Sequence, residues 1–171
     1  MRVRRATAAD HEAVGEATLA AYAPFTEGEP HAAYRARLRD AAARDREAEL
    51  WVAVDQGADG VETVLGSVTL CPEGSPWREV AQPGEGEFRM LAVSPAAQGH
   101  GVGAALVEHA LSSFAERGCT AVVLCSLTQM RAAHRLYERL GFTRVPERDW
   151  QPVPGIDLVA FRRALAGTLS A

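Results

Sequence analysis

Residues Arg89–Leu111 read RMLAVSPAAQGHGVGAALVEHAL, and the fold turns on this stretch. An apolar run meets Pro95, glycines stand at 99, 101 and 103, and an apolar pattern of helical spacing follows. Glycine costs about 1 kcal/mol relative to alanine inside a helix, so bare backbone at a helix start needs a reason. The first N–H groups of a helix have no intrahelical acceptor, and its N-terminus carries partial positive charge. Glycines let a phosphate approach those groups with no Cβ in the way. The stretch therefore predicts a strand, a diphosphate cradle with amide donors from Gly99 through Ala104, and a helix. A tight strand-to-helix turn without a ligand is the plainer reading of the same glycines.

Two rival phosphate motifs fit less well. Gly99, Gly101 and Ala104 match G-x-G-x-x-A. A dinucleotide fingerprint also needs an acidic residue closing the next strand to hold a ribose. That strand, AVVLCSL, has none. No G-K-[ST] follows the glycines, which excludes a P-loop.

Working outward, VRRAT reads as a first strand. Thr7 and Asp10 form a capping box that opens a helix to about Tyr22. APFTEGEP breaks it, and HAAYRARLRDAAARDREAE reads as one second helix with a solvated arginine face. LWVAV and VETVLGSVTLC form a hairpin around DQGADG. The Pro/Gly-rich loop PEGSPWREVAQPGEGE is long enough to suggest function or mobility. EFRMLAV, the glycine turn, a helix capped by Gly118 and the apolar strand AVVLCSL imply a parallel, right-handed crossover. A short helix RAAHRLYERL ends at Gly141, and FTRVP and GIDLVAFRR read as last strands. The order is β-α-α-β-β-β-α-β-α-β-β, a mixed α/β sheet flanked by helices.

The bulk figures bound the function. A chain of 171 residues, 47% apolar, is expected to be one domain over residues 1–165, with a short tail over 166–171. A formal net charge of −4 argues against a nucleic-acid binder. Cys71, Cys119 and Cys125 have no metal-ligand spacing, so no metal is expected, and they read as reduced. No apolar run spans a membrane, and MRVRRATAADH lacks a signal core, so a cytoplasmic location is expected.

The segment MLAVSPAAQGHGVGAALV resembles the acetyl-CoA-binding motif of the GCN5-related N-acetyltransferase superfamily, with Gln98, Gly101 and Gly103 in register. AAHRLYERLGF resembles the family's tyrosine-bearing helix, and the element order agrees over nearly the whole chain. The resemblance implies the family fold and direct attack of a primary amine, on a small molecule or a peptide, on acetyl-CoA. It implies cofactor binding by Leu91, Ala92, Val93, Gln98, Gly99, His100, Gly101, Val102, Gly103 and Ala104. The strand MLAV, carrying Leu91–Val93, would pair with the pantetheine arm, which requires it to splay from AVVLCSL. The alternative is an acyl-CoA-binding regulatory module without turnover. A homodimer is left open.

The chemistry asks for a neutral amine, a proton for the departing thiolate and donors for the oxyanion. The resemblance implies Tyr137 as the acid. If Gly141 is the C′ residue of a Schellman cap, Tyr137 is also its C3 contact to Phe142. Glu87 matches the position of the base in some members, acting through water; a solvent-exposed strand-end carboxylate is the plainer reading. Met130 stands where many members have Asn, and Ser126, Thr128 or Gln129 are its candidate substitutes. His100 reads as a turn residue and His134 as helix surface. His31, Tyr34, Trp77 and Arg78 are candidates to shape the acceptor site.

Overall fold

The computed structural model describes residues 1–26, 31–58 and 60–165. The expected tail over 166–171 lies outside the described residues. In order, the elements are β1 (Arg2–Arg5), α1 (His11–Tyr22), α2 (Ala32–Arg39), α3 (Ala41–Glu47), β2 (Glu49–Gln56), β3 (Glu62–Cys71) and β4 (Glu85–Val93). Then follow α4 (Val102–Glu116), β5 (Ala121–Leu127), α5 (Arg131–Arg139), β6 (Thr143–Arg144), β7 (Trp150–Val153) and β8 (Ile156–Ala164). The strands form one mixed sheet in the order β1-β2-β3-β4-β5-β8-β6, with β7 also on β8. Among the described residues, only β4 and β5 run parallel; the other pairs are antiparallel.

Each face of the sheet carries its own core. On one face, Leu106, Val107, Ala110 and Phe114 of α4 pack with Phe88, Leu124, Phe142 and Phe161. The other face lies under α1, α2 and α3, where Tyr22, Leu38, Met90, Ala92 and Leu127 form one cluster and Val14, Ala41, Leu50 and Val52 another. The alternating in-and-out pattern of the strands makes both faces apolar because both are covered.

Local signals placed the caps. The Thr7 N–H donates to Asp10 Oδ2 at 2.7 Å, closing the capping box, although a short 3-10 turn (Ala8–Asp10) precedes α1. At the end of α4, Gly118 has φ 76° and the Cys119 N–H reaches the Phe114 carbonyl at 3.0 Å.

Three expectations need correction. The second helix is two helices. Asp40 leaves helical geometry at ψ 74° and its side chain accepts the Ala43 N–H at 2.9 Å, so it ends α2 and starts α3. The break turns Arg44 inward rather than onto a solvated face. Arg44 is fully buried, donating to the Leu38 carbonyl at 3.1 Å and the Thr18 hydroxyl at 3.3 Å, and burial draws its pKa down to about 10. Finally, Trp150–Val153 is a strand that the sequence reading passed over. It returns on β8 through a turn at Gly155, φ 88°.

The loop between β3 and β4 is anchored along its length. The Glu87 carboxylate accepts N–H bonds from Glu79, Val80 and Ala81 at 2.9–3.2 Å. Arg89 donates to the Trp77 carbonyl at 3.1 Å, and Arg78 donates to the Glu85 carbonyl at 3.0 Å.

Candidate active site

Strand β4 organises the site through two irregularities. It pairs with β5 only over Glu85, Gly86 and Glu87, and beyond that the two strands diverge. Against β3, Ser67 faces Ala92 while Thr69 faces Arg89, so β4 spends one extra residue. That bulge centres on Met90, whose φ of 49° is the one positive value outside glycine among the described residues. A bulge re-aims side chains. Arg89 and Met90 line a small cavity of about 30 Å³, whereas Leu91 and Val93 line a large one of about 770 Å³. The splay expected from the sequence is present, with β4 backbone free of β5 where an extended ligand would lie.

The glycine turn forms one end of the large cavity. Gly99 and Gly101 both have φ 79°, and a Cβ built on either meets nothing within 4 Å, so conformation rather than crowding demands glycine there. Gly101 is the N-cap of α4. The first backbone bond closing α4 runs from the Ala105 N–H to the Gly101 carbonyl at 3.0 Å. The Val102, Gly103 and Ala104 N–H groups therefore stand in the helix's first turn, where no intrahelical acceptor exists. At Gly103 space is tight instead: a Cβ would lie 3.1 Å from Leu136 Cδ2, which would have to give by a few tenths of an ångström.

Of the ten residues expected to hold a cofactor, Leu91, Val93, Gln98, Gly99, Gly101, Val102, Gly103 and Ala104 line this cavity together. Ala92 and His100 are outside its lining: Ala92 packs on the opposite face, and exposed His100 turns back to the Gln98 carbonyl at 2.9 Å. The sequence reading missed the other two walls. One is the end of α1 with Ala20, Ala21, Pro24 and Phe25; the other is α5 with Ala132, Ala133, Leu136 and Arg139. Repeated alanines at facing positions were the available signal, since small side chains leave room. Met130 lines the cavity with an apolar side chain, and Ser126, a suggested polar substitute, faces the small cavity instead.

Tyr137 sits in the Schellman geometry anticipated for it. The Phe142 N–H reaches the Tyr137 carbonyl, the Gly141 N–H reaches the Glu138 carbonyl, both at 3.0 Å, and the two rings lie 6.0 Å apart. The ring is also flanked by Phe88 and Phe161, is 4% exposed and lines neither cavity. Burial pushes its phenol pKa well up, so the hydroxyl keeps its proton at neutral pH.

Glu87 is buried rather than a solvent-exposed strand end, at 1% exposure, and it too lines neither cavity. Its carboxylate is committed to the three loop amides. His134 is a further correction. It is buried, its Nε2 lies 3.0 Å from the Leu127 carbonyl and its ring stacks near Phe161, so it joins the β5–α5 turn to the core.

Across the splay, the small cavity is walled by Tyr22, Tyr34, Glu79, Arg89 and Ser126, with Met90 at its base. Tyr34 was an acceptor-site candidate and is here; Trp77 and Arg78 serve the loop, with Trp77 Nε1 donating to Glu47 at 3.1 Å. Glu79 was not singled out by the sequence reading. Nothing local distinguishes it from the neighbouring acidic residues of its loop.

These features define a class: a mixed sheet with a splayed parallel pair and a helix N-terminus opening on a long cavity. Residues 16–142 match the model of the acetyltransferase (GNAT) family. The chain belongs to that family. Over 96 residues it is 38% identical to the mycothiol acetyltransferase of Beutenbergia cavernae, covering 56% of this chain and 29% of that protein. The chain thus spans about a third of the length of such curated relatives. A GCN5-related N-acetyltransferase from Kribbella flavida superposes with a TM-score of 0.66 at 27% identity, over 96% of this chain and 97% of that one. A Salmonella typhimurium structure solved with its cofactor acetyl-CoA shares the fold, with a TM-score of 0.64 at 23% identity over 100% of this chain and 97% of that one. Among the described residues, no helix is long and apolar enough to cross a membrane.

Proposed function

We propose that this chain is an acetyl-CoA-dependent N-acetyltransferase that acylates a primary amine. The observation that carries the reading is the large cavity itself. It runs from first-turn amides of α4 without intrahelical acceptors, past the β5-free backbone of β4, to Leu91 beside the Met90 bulge. Its volume and its amide-lined end fit a long ligand with a diphosphate at one end. The cofactor, when bound, supplies an activated acetyl thioester. The chain's part is to grip the diphosphate through the Val102, Gly103 and Ala104 N–H groups and to order the arm along Leu91–Val93. Backbone donors at the bulge polarise the acyl carbonyl. Tyr137 holds a proton for the departing sulfur. Tyr137 lies just outside the cavity lining at 4% exposure, so this role requires its hydroxyl to become accessible from the cavity, while the α5 cap holds the ring in place.

The reading is supported by the family and by the mycothiol acetyltransferase relatives, whose names put acetyl transfer in this sequence neighbourhood. The test is thiol release from acetyl-CoA with a panel of primary amines. Turnover is expected with at least one amine, and Tyr137→Phe is expected to lower kcat about 100-fold while leaving coenzyme A affinity unchanged. Binding of acetyl-CoA without thiol release for any amine, and no effect of Tyr137→Phe, would identify a regulatory module instead.

A further inference from the structure

An attacking amine must reach the acyl carbon from the side that the cofactor does not fill. At the Met90 bulge, that side is the small cavity: Arg89 and Met90 line it, and the next β4 residue, Leu91, lines the large one. Among the described residues that line it, Glu79 supplies the one carboxylate. Glu79 Oε1 lies 2.8 Å from Arg89 Nη2 and 4.0 Å from Arg37 Nη1. Ser126, 5% exposed, lines the same cavity, and its buried Oγ has no hydrogen-bond partner among the described residues. A buried hydroxyl left unpaired costs free energy, and here it marks a place where a ligand's polar group completes the wall.

We propose that Glu79 seats the acceptor ammonium in this small cavity and takes its proton, with Ser126 Oγ as a second contact, and that the acceptor enters as a primary ammonium on an unbranched stem. The inference rests on the N-acetyltransferase reading above. The size of the cavity sets the substrate class. About 30 Å³ holds an ammonium head and little more, since a water needs about 10–15 Å³ by the same kind of measure. The remainder of the acceptor projects outward past Tyr22 and Tyr34.

Glu79 is suited to the task by its surroundings. Of the charged groups around it, Arg89 and Arg37 favour its ionised form and Glu87 disfavours it; Tyr22, Tyr34, Cys71 and Cys125 also lie near, each held protonated by burial. Burial is the largest influence and raises its pKa above the ordinary carboxylate value, toward that of a useful proton acceptor. Glu87 is then a positioning residue: its carboxylate accepts the Glu79 N–H at 3.0 Å and so fixes the backbone that aims Glu79.

The step balances. The ammonium gives one proton to Glu79, and the free nitrogen bonds to the thioester carbonyl carbon as the C–S bond breaks. The nitrogen then loses a second proton. Of the two protons, one ends on the thiol of coenzyme A and the other in solvent.

The experiment has two readouts on the full chain. Primary amines, linear and α-branched, are titrated calorimetrically into protein holding coenzyme A, with no acyl donor present. Thiol release from acetyl-CoA is then followed from pH 6.5 to 9.5. Glu79→Gln is expected to weaken amine binding at least about tenfold and to lower kcat/KM about 100-fold at pH 7. The wild-type advantage should shrink to a few-fold by pH 9.5. An amine of pKa about 10 then supplies its own free base. Glu79→Asp should recover part of the loss, and coenzyme A affinity should not move. Linear amines should bind more tightly than α-branched ones. If wild type turns over amines and Glu79→Gln keeps its affinity and pH slope, this inference is overturned while the acetyltransferase reading stands. If wild type neither binds nor acylates any amine, that reading fails and carries this one with it. Should Glu79→Gln not fold, Glu79→Asp decides: unchanged binding and turnover overturn the assignment.

Discussion

The two cavities on either side of the β4–β5 splay are built on opposite plans. The large one is made of backbone and small side chains: first-turn amides, two left-handed glycines, and alanines from α1 and α5. The small one is made of long side chains converging from α1, α2, the β3–β4 loop, β4, β5 and β8. A ligand common to many proteins can be held by backbone geometry, which needs only a local motif. A particular acceptor is recognised by side chains, which a chain can exchange without disturbing the motif. One bulge, at Met90, separates the two plans by a single residue.

The contrast can be broken most severely at Gly103. Gly103→Trp would drive a side chain from α4 against Leu136 and into the large cavity, where the Cβ already stands 3.1 Å from Leu136 Cδ2. Coenzyme A affinity measured by calorimetry should fall at least about 100-fold, while amine binding in the small cavity persists. Loss of both would show that the cavities are not independent.

Next comes the carboxylate that holds the loop. Glu87→Ala leaves the Glu79, Val80 and Ala81 N–H groups without their acceptor in a buried site. Urea unfolding should show a loss of about 3 kcal/mol. Amine affinity should fall along with it, because Glu79 loses its fixed backbone, while coenzyme A affinity is preserved. A fall in stability of less than about 1 kcal/mol would refute the anchoring role.

Glu85 predicts an acid limit to stability. Burial alone would raise its pKa, but hydrogen bonds from Arg148 and Arg162, both 2.6 Å, and from the Gln82 N–H bring it down to about 2. A carboxylate depressed in the folded state stabilises above its unfolded pKa of about 4.5, and that contribution is lost as pH falls through about 2. Unfolding midpoints should therefore drop between pH 4.5 and 2, and Arg148→Ala should flatten that slope.

The smallest effects probe single atoms. Gly101→Ala, at φ 79°, should destabilise by about 1 kcal/mol in thermal melts through left-handed strain alone, its Cβ having open space. Ser126→Ala removes a buried hydroxyl with no partner among the described residues, so the unliganded protein should be no less stable and gain up to about 1 kcal/mol. If the amine uses that hydroxyl, KM for the amine should still rise several-fold. A KM that stays constant would remove Ser126 from the acceptor site.

Much of the large cavity was legible because its parts are close in sequence. Gln98 through Ala104 form one turn; the cap of Tyr137, Gly141 and Phe142 was equally local, although it lies outside the cavity lining. The small cavity was not, because Glu79 and Ser126 meet only after β4 and β5 have paired and parted. The sequence pointed to Glu87 as a carboxylate in the right strand, and the structure shows it bonded to the loop that carries Glu79. Arg44 and His134 looked like surface residues by composition and spacing. Their burial follows from the break at Asp40 and from the carbonyl of Leu127, which no local pattern announces.

The amino-acid sequence alone determined the capping box before α1, the glycine ends of α4 and α5, the parallel crossover around the glycine turn, and the presence of a glycine-rich helix N-terminus. These are consequences of backbone sterics and of hydrogen bonds between residues a few positions apart. Only the tertiary structure decided where β4 leaves β5, which way Met90 bends the chain, and which carboxylate lines the small cavity and which holds a loop. Those outcomes depend on how buried polar groups from distant segments satisfy one another, and that is settled when the sheet and its covering layers pack.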